Sequence, residues 1–406
     1  MSLFLVCCFG VSISLTGLFI IKGMIKSLEE KAKNYYGGDY QLIGETPSLY
    51  QFNGPELISK IEKVFPIDTN FSLRFDFDAD NCALFFEGNS ARQRVIKGVD
   101  FNSEIINFEN FNFIEGSAQN LCTSGNNIAI SFPIAKQLNV HVGDEITFML
   151  KNINGYINTI PLCVKAIFQD SSLFGMYTSY VNRDCLLSSY GYQTNMYNRL
   201  CISLSNSDKN ATYFQKELEN IIQMYPLVKD KNEFYNNCWT IPMPTYALIP
   251  LSANLEDIQI LIDAMSLISA LIIIILVIII VAGVSSTFRV IVMKRVNEIG
   301  IFKAMGMKRH QIMKMLLTEA FLLLITGCIV GFINSLVLCK IVSLFNLSFI
   351  PAFDLFLSNG SLAPVISLGY IFLISGVVCV TTLIGVLFSV RKSVVITPCE
   401  ALAVTE

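Results

Sequence analysis

Hydrophobic and polar positions follow two different rhythms along this chain. Four stretches carry no charged residue at all: Leu3–Ile21, Ala264–Phe288, Ala320–Cys339 and Leu355–Val390. A hydrocarbon core of about 30 Å needs roughly 20 apolar helical residues to cross it. A single helix satisfies its own backbone in lipid, which an irregular segment cannot do. A buried core helix accounts for one such run but not for four, least of all for LIIIILVIIIV inside the second. The pattern therefore predicts membrane helices over residues 1–22, 259–289, 315–340 and 363–390. The first is read as a retained helix and not a cleaved leader, because Met1–Leu3 supplies no basic n-region and no clean A-x-A site follows.

Between the first two helices, residues 23–258 change to short periods. Lys22–Tyr36 keeps helical spacing and reads as a stalk continuing the first helix, stopped by Gly37-Gly38. DYQLIG reads as a strand, and Pro55 opens a short helix, ELISKIEKV, with Leu57, Ile58, Ile61 and Val64 on one face. SLRFDF, CALFFEG and RVIKGVD alternate like strands. Asn127–Leu150 reads as a strand, a helix over Pro133–Leu138, a Gly143-Asp144 turn and another strand. Leu162–Gln169 adds a strand and Tyr213–Met224 a helix. The block is thus expected to be an α+β domain outside the bilayer.

Composition fits this division. Of 406 residues, 53% are hydrophobic and 15% charged, against roughly 25% charged in soluble proteins. From Lys22 to Glu256 the polar block holds 19 Lys and Arg against 25 Asp and Glu, an acidic balance that argues against nucleic acid as its partner. Arg289–Lys314 carries seven basic residues and one acidic, Glu298, while the loop at 341–362 has only Asp354. Basic residues near helix ends mark the cytoplasmic side. Both termini, the segment 290–314 and the tail 391–406 are expected there, which places residues 23–258 in the extracytoplasmic space. Cys82, Cys122, Cys163, Cys185, Cys201 and Cys238 fall in the outer block without a C-x-x-C pair, so disulfides are permitted but their pattern is not legible.

Signatures of catalysis are missing. There is no G-x-x-x-x-G-K-[ST], H-E-x-x-H or G-x-S-x-G, and the two histidines, His141 and His310, are expected on opposite sides of the membrane. The informative segment is VNEIGIFKAMG at 296–306, followed by MKRHQIMKMLLTEAF. It is short, basic and amphipathic, with Ile299, Phe302 and Met305 at helical spacing, Lys303 turned away and Gly306 as its stop. Two physical readings stand side by side: a helix lying in the headgroups, or one docking into a groove of a cytoplasmic partner.

The segment resembles the signature of FtsX-like ABC permeases, the superfamily holding MacB and the lipoprotein-releasing LolC and LolE subunits. LTEAFLLLITGCIVGF is similar to the family's third helix, with Gly327 and Gly331 at a spacing that lets helices approach closely. TPCEAL at 397–402 resembles the family's P-x-E-A-L ending, and NIAISFPIAKQLNVHVGDEI and KGVD resemble its outer segments. The resemblance implies four transmembrane helices with a MacB-like periplasmic core domain between the first and second, in the inner membrane. It implies that Asn297, Glu298, Ile299, Gly300, Phe302, Lys303, Ala304, Met305 and Gly306 meet a dimer of ATPase subunits. It also implies a second copy or a homologous permease subunit alongside, and membrane lipids around the helices. ATP and Mg are then bound by the partner, with no cofactor in this chain.

Such a permease transmits movement and does not pass cargo through a pore. Lipoprotein release toward a periplasmic carrier is the expected role. AIFQDSSLFGMYTSYVN at 166–182 faintly resembles the family's G-I-F segment followed by G-x-Y, but departs from the Lol version, in which acidic residues follow the tyrosine, by having Thr178 and Ser179 there. Export of a peptide, toxin or drug, toward which LTEAF leans, and FtsX-like regulation of cell-wall hydrolases are the alternatives. Substrate-contacting residues are not legible.

Overall fold

The computed structural model describes residues 2–44, 52–78, 82–170, 172, 174–176, 178–193, 196–205, 210–237, 245–347 and 350–393. The chain divides into a helical unit, Met1–Lys26, Leu261–Asn346 and Ser361–Glu406, and a sheet unit, Ser27–Ile260 and Leu347–Gly360. Two long helices run from one into the other.

The first of these, α1 (Ser2–Tyr36), is unbroken and passes beyond its apolar part into the sheet unit. At 1.5 Å per residue its 35 residues measure about 52 Å, well over the thickness of a hydrocarbon core. Gly37, with φ +85°, ends it, and its N–H returns to the Lys33 carbonyl at 2.7 Å.

In the sheet unit, β1 (Tyr40–Ile43) and β2 (Phe52–Asn53) precede α2 (Gly54–Ile61), whose N-cap is the Asn53 side chain. Strands β3 (Asn70–Asp78), β4 (Ala83–Phe86), β5 (Asn89–Arg92) and β6 (Val95–Val99) follow. Next come α3 (Ile105–Glu109), β7 (Phe113–Gly116), α4 (Ala118–Leu121), β8 (Asn127–Ser131) and α5 (Phe132–Leu138). The chain continues through β9 (Glu145–Lys151), β10 (Ile157–Phe168), β11 (Thr178–Asn182), α6 (Arg183–Tyr190), β12 (Met196–Tyr197) and β13 (Arg199–Ser203). It closes with α7 (Ala211–Glu219), α8 (Lys231–Asn237), β14 (Ala247–Pro250) and α9 (Leu251–Asn254).

The described strands form one mixed sheet in the order β14-β1-β13-β3-β6-β11-β8-β10-β9-β4-β5, with β7 on β10, and a small β2–β12 pair. Its centre is covered on both faces. Ile128 and Ile130 of β8 pack with α5 and α6, while Ala129 joins Phe108 and Leu121 from α3 and α4. That two-sided burial explains why NIAIS reads as a continuous apolar run and not an alternation.

Two readings from periodicity are corrected here. The helix expected over Tyr213–Met224 is α7 and stops at Asn220; Ile221 and Ile222 close it in a turn on the Leu218 carbonyl, and Met224 makes a bridge to Tyr246. The strand expected at Leu162–Gln169 starts earlier, because the β9–β10 hairpin continues its register out to Ile157. Among the described residues no disulfide joins the cysteines of this unit. Cys238 and the TPCEAL segment lie outside the described residues.

The helical unit holds the start of α1, the apolar body of α10 (Glu256–Lys294), α11 (Val296–Ala304), α12 (Arg309–Ser343) and α13 (Leu368–Ser393). Four of these, α1, α10, α12 and α13, are long and apolar enough to cross a membrane. The fourth begins at Leu368, five residues after the expected start at 363, and the stretch before it is the loop expected at 341–362. Leu355–Leu362 is spent on a 3-10 turn, Pro351–Phe356, and on a turn whose Asn359 and Gly360 have φ of 51° and 78°. Pro364 then withholds a backbone N–H. Val365 donates to the Phe19 carbonyl at 2.9 Å, fixing this irregular segment to α1. Gly327 and Gly331 face α1: a Cβ on either would press on Cys7 and Cys8 or on Val11. Asn334 Nδ2 donates to Ser12 Oγ at 3.1 Å on the same interface.

Candidate functional site

The segment singled out from the sequence forms α11. Helix α10 breaks at Arg295, which leaves the helical run for one residue before the chain turns into Val296. Arg295 Nη1 donates to both carboxylate oxygens of Glu319 on α12, 2.9 Å each. A half-exposed pair of this kind adds little stability, but it spans the corner and orients α11 against α12.

Beneath the helix, Val296, Ile299 and Gly300 are buried, and Ile299 is only 5% exposed. Ile299 packs in one cluster with Val292, Ile312, Leu316 and Ala320, and Phe302 and Met307 lie against that cluster. The C-terminus closes as a Schellman motif. Met307 N–H donates to the Phe302 carbonyl and Gly306 N–H to the Lys303 carbonyl, both at 3.0 Å, with Gly306 at φ +91°. Helix α12 then starts at Lys308, whose N–H donates to Gln311 Oε1 at 2.8 Å.

The other face is open. Asn297, Glu298, Ile301, Ala304 and Met305 are exposed and, at 100° per residue, share a sector of about 120°. Ile301 is 51% and Met305 67% exposed. This corrects the face read from spacing: Met305 belongs to the outward face, not with Ile299, and Lys303 is half-buried. Ile301 is the residue that reading missed, although it stands four positions from both Asn297 and Met305. Gly306 has open space around it, so its positive φ and not crowding is what favours glycine there.

A second constellation, unseen in the sequence, holds the end of α1 inside the sheet unit. The last four carbonyls of a helix need partners from outside it, and all four find one. Lys33 accepts from Gly37; Tyr35 accepts from Arg74 Nη1 at 3.0 Å, and Asn34 more loosely from the same guanidinium at 3.4 Å. Tyr36 accepts from Gln41 Nε2 at 2.7 Å and Cys201 Sγ at 3.2 Å. Arg74, 1% exposed on β3, is paired with the fully buried Glu104. Burial opposes its charge, yet Glu104 outweighs this and holds the guanidinium above its ordinary range. Beside it, Lys97 Nζ donates to Asp76 at 2.9 Å and sits 4.1 Å over the Tyr35 ring. Burial would raise the Asp76 carboxyl, but Lys97 and Arg199 lower it overall. Burial pushes the Cys201 thiol up to about 12.

The strand after α1 and the strand before α10 are neighbours: β1 pairs antiparallel with β14 from Tyr40↔Pro250 to Ile43↔Ala247. Both long helices therefore enter the sheet unit on adjacent strands, and Tyr36 Oη donates to the Asn254 carbonyl at 3.3 Å.

Residues 247–398 match the family described as FtsX-like permease C-terminal. The match spans β14 and α9 to α13, and so includes the α11 corner. The match covers less than half of the chain and supports an ABC transporter permease; that family is a transporter component, generally not catalytic, which works with an ATPase. No curated protein matches the chain.

Proposed function

We propose that this chain is the mechanotransmitting permease subunit of an ABC transporter that releases lipoproteins from the inner membrane. The outward face of α11 carries the reading. An exposed helix with Ile301 and Met305 at its centre and Glu298 and Asn297 beside them has the make-up of a docking surface, held rigid by its buried side and its Schellman cap. An ATPase dimer binding ATP and Mg would engage two such helices, one on this chain and one on a second copy or homologous subunit. The apolar face of α10, with Leu267, Leu271, Ile275 and Ile278 exposed, suits lipid or that second subunit. Movement at α11 would pass along α10 and α1 to adjacent strands of a periplasmic sheet domain. In this orientation both termini are cytoplasmic, as the basic residues around α11 favour.

Glu298→Arg and Ile301→Asp are expected to lower co-purification of ATPase activity with the detergent-solubilised chain about tenfold, the scale of a central interface residue. Membrane insertion should be unchanged. ATPase recovery equal to wild type for both variants would remove α11 as the docking site.

The cargo is tested separately. Depleting the protein is expected to leave acylated lipoproteins in the inner membrane on fractionation, where a periplasmic carrier would otherwise collect them. A normal distribution would discard lipoprotein release and leave export, the reading toward which LTEAF at 317–321 leans.

A further inference from the structure

A groove of about 530 Å³ runs between α12 and α13 in the helical unit. Its walls are apolar, with Leu317 and Phe321 on one side and Leu383 and Leu387 on the other. At one end stand His310 and Lys314, and no carboxylate lines it. His310, Lys314, Leu317 and Phe321 recur at four, three and four residues, so one stripe of α12 carries two basic groups and then two apolar ones. Among the described residues the Lys314 ammonium and the His310 ring make no hydrogen bond or ion pair, and both are exposed.

From Lys314 to Phe321 the helix rises about 10 Å, roughly two thirds of one leaflet of a 30 Å hydrocarbon core. A groove that reaches most of the way through one leaflet, mainly apolar below its mouth and basic at it, matches a phospholipid with the upper part of one acyl chain between the helices and its phosphate at Lys314. A second copy of the chain packed there by an apolar helix would leave two unpaired basic groups against hydrocarbon, which is unfavourable. We infer that this groove is a binding site for an anionic phospholipid of the leaflet facing α11. Lys314 supplies the charge that selects it, and His310 a second donor.

The test uses the full chain in nanodiscs of equal phosphatidylglycerol and phosphatidylcholine, followed by detergent release and native mass spectrometry. The wild type is expected to retain phosphatidylglycerol preferentially. A basic residue at an anionic surface is worth about a fivefold preference, so the double variant His310→Gln with Lys314→Gln should lose at least that much. Leu383→Trp, which fills the groove, should lose the retained lipid of either kind, whereas Ile329→Trp on an exposed part of α12 should behave as wild type. Equal retention of both lipids by the wild type, or retention unchanged in the groove variants, would overturn the site. So would a high-yield disulfide between two chains carrying Thr318→Cys, because a second copy would then occupy the groove.

Discussion

Replacing Arg74 by alanine is expected to destabilise the sheet domain by about 3–5 kcal/mol, the cost of removing one partner from a buried ion pair. Three losses combine. Glu104 is left fully buried without its counter-charge, the Asn34 and Tyr35 carbonyls lose their donor, and the guanidinium's packing disappears. Thermal unfolding of the full-length chain in detergent should show the domain's transition lowered by about 6–20 °C, given 2–4 °C per kcal/mol for a domain of this size. The double variant Arg74→Met with Glu104→Leu should recover most of the loss, since apolar residues of similar volume commonly replace a buried pair without penalty. A transition within a degree of wild type for Arg74→Ala would show that the pair does not hold α1. The consequence for function follows from position. Arg74 sits where α1 ends in the sheet, so under the proposed function loosening it would separate the lever from what it moves.

Ile299→Asp is expected to free α11 from its base. Burial of the isoleucine is worth about 1.5–3 kcal/mol, and a carboxyl in its place adds an unsatisfied polar group costing about 1–3 kcal/mol more. Against a helix of nine residues, far too short to persist alone, that is decisive. Trypsin should then cleave at Arg295 and Lys303 in the detergent-solubilised chain, and ATPase co-purification should fall with it. Ile301→Asp, two positions away on the open face, should reduce association with no new cleavage. The contrast separates a broken scaffold from a broken contact. Resistance of Ile299→Asp to trypsin at both sites would mean that the cluster under α11 does not secure it.

Much of the helical unit could be read directly, because lipid imposes a constraint on composition that soluble folds do not. Ala264–Phe288 and Ala320–Cys339 fall within α10 and α12, and Lys22–Tyr36 continues α1. Local signals also carried Gly37 and Gly306, whose positive φ is what a helix stop demands. In the sheet unit, FPIAKQL before a Gly-Asp turn marks α5 and β9 plainly, as strand, helix and turn chemistry all agree there.

Elsewhere local pattern and burial diverge. Ser72, Arg74 and Asp76 form the polar half of an alternating strand, which periodicity assigns to water. In the structure that face meets the end of α1, so the arginine becomes a helix cap and the aspartate a partner for Lys97. Leu355–Leu362 has a membrane composition but lies in turns with Leu357 buried, since a charge-free sequence does not distinguish lipid from protein as the apolar medium.

By itself, then, the sequence determined which segments leave water and where glycine stops α1 and α11, because hydrophobicity and backbone conformation are properties of single residues and their near neighbours. Which face of α11 is open, which polar residues grip α1 and which helices leave a groove were decided only by tertiary packing. Each depends on a partner brought in from distant sequence: Glu319 for Arg295, Glu104 for Arg74, α13 for α12.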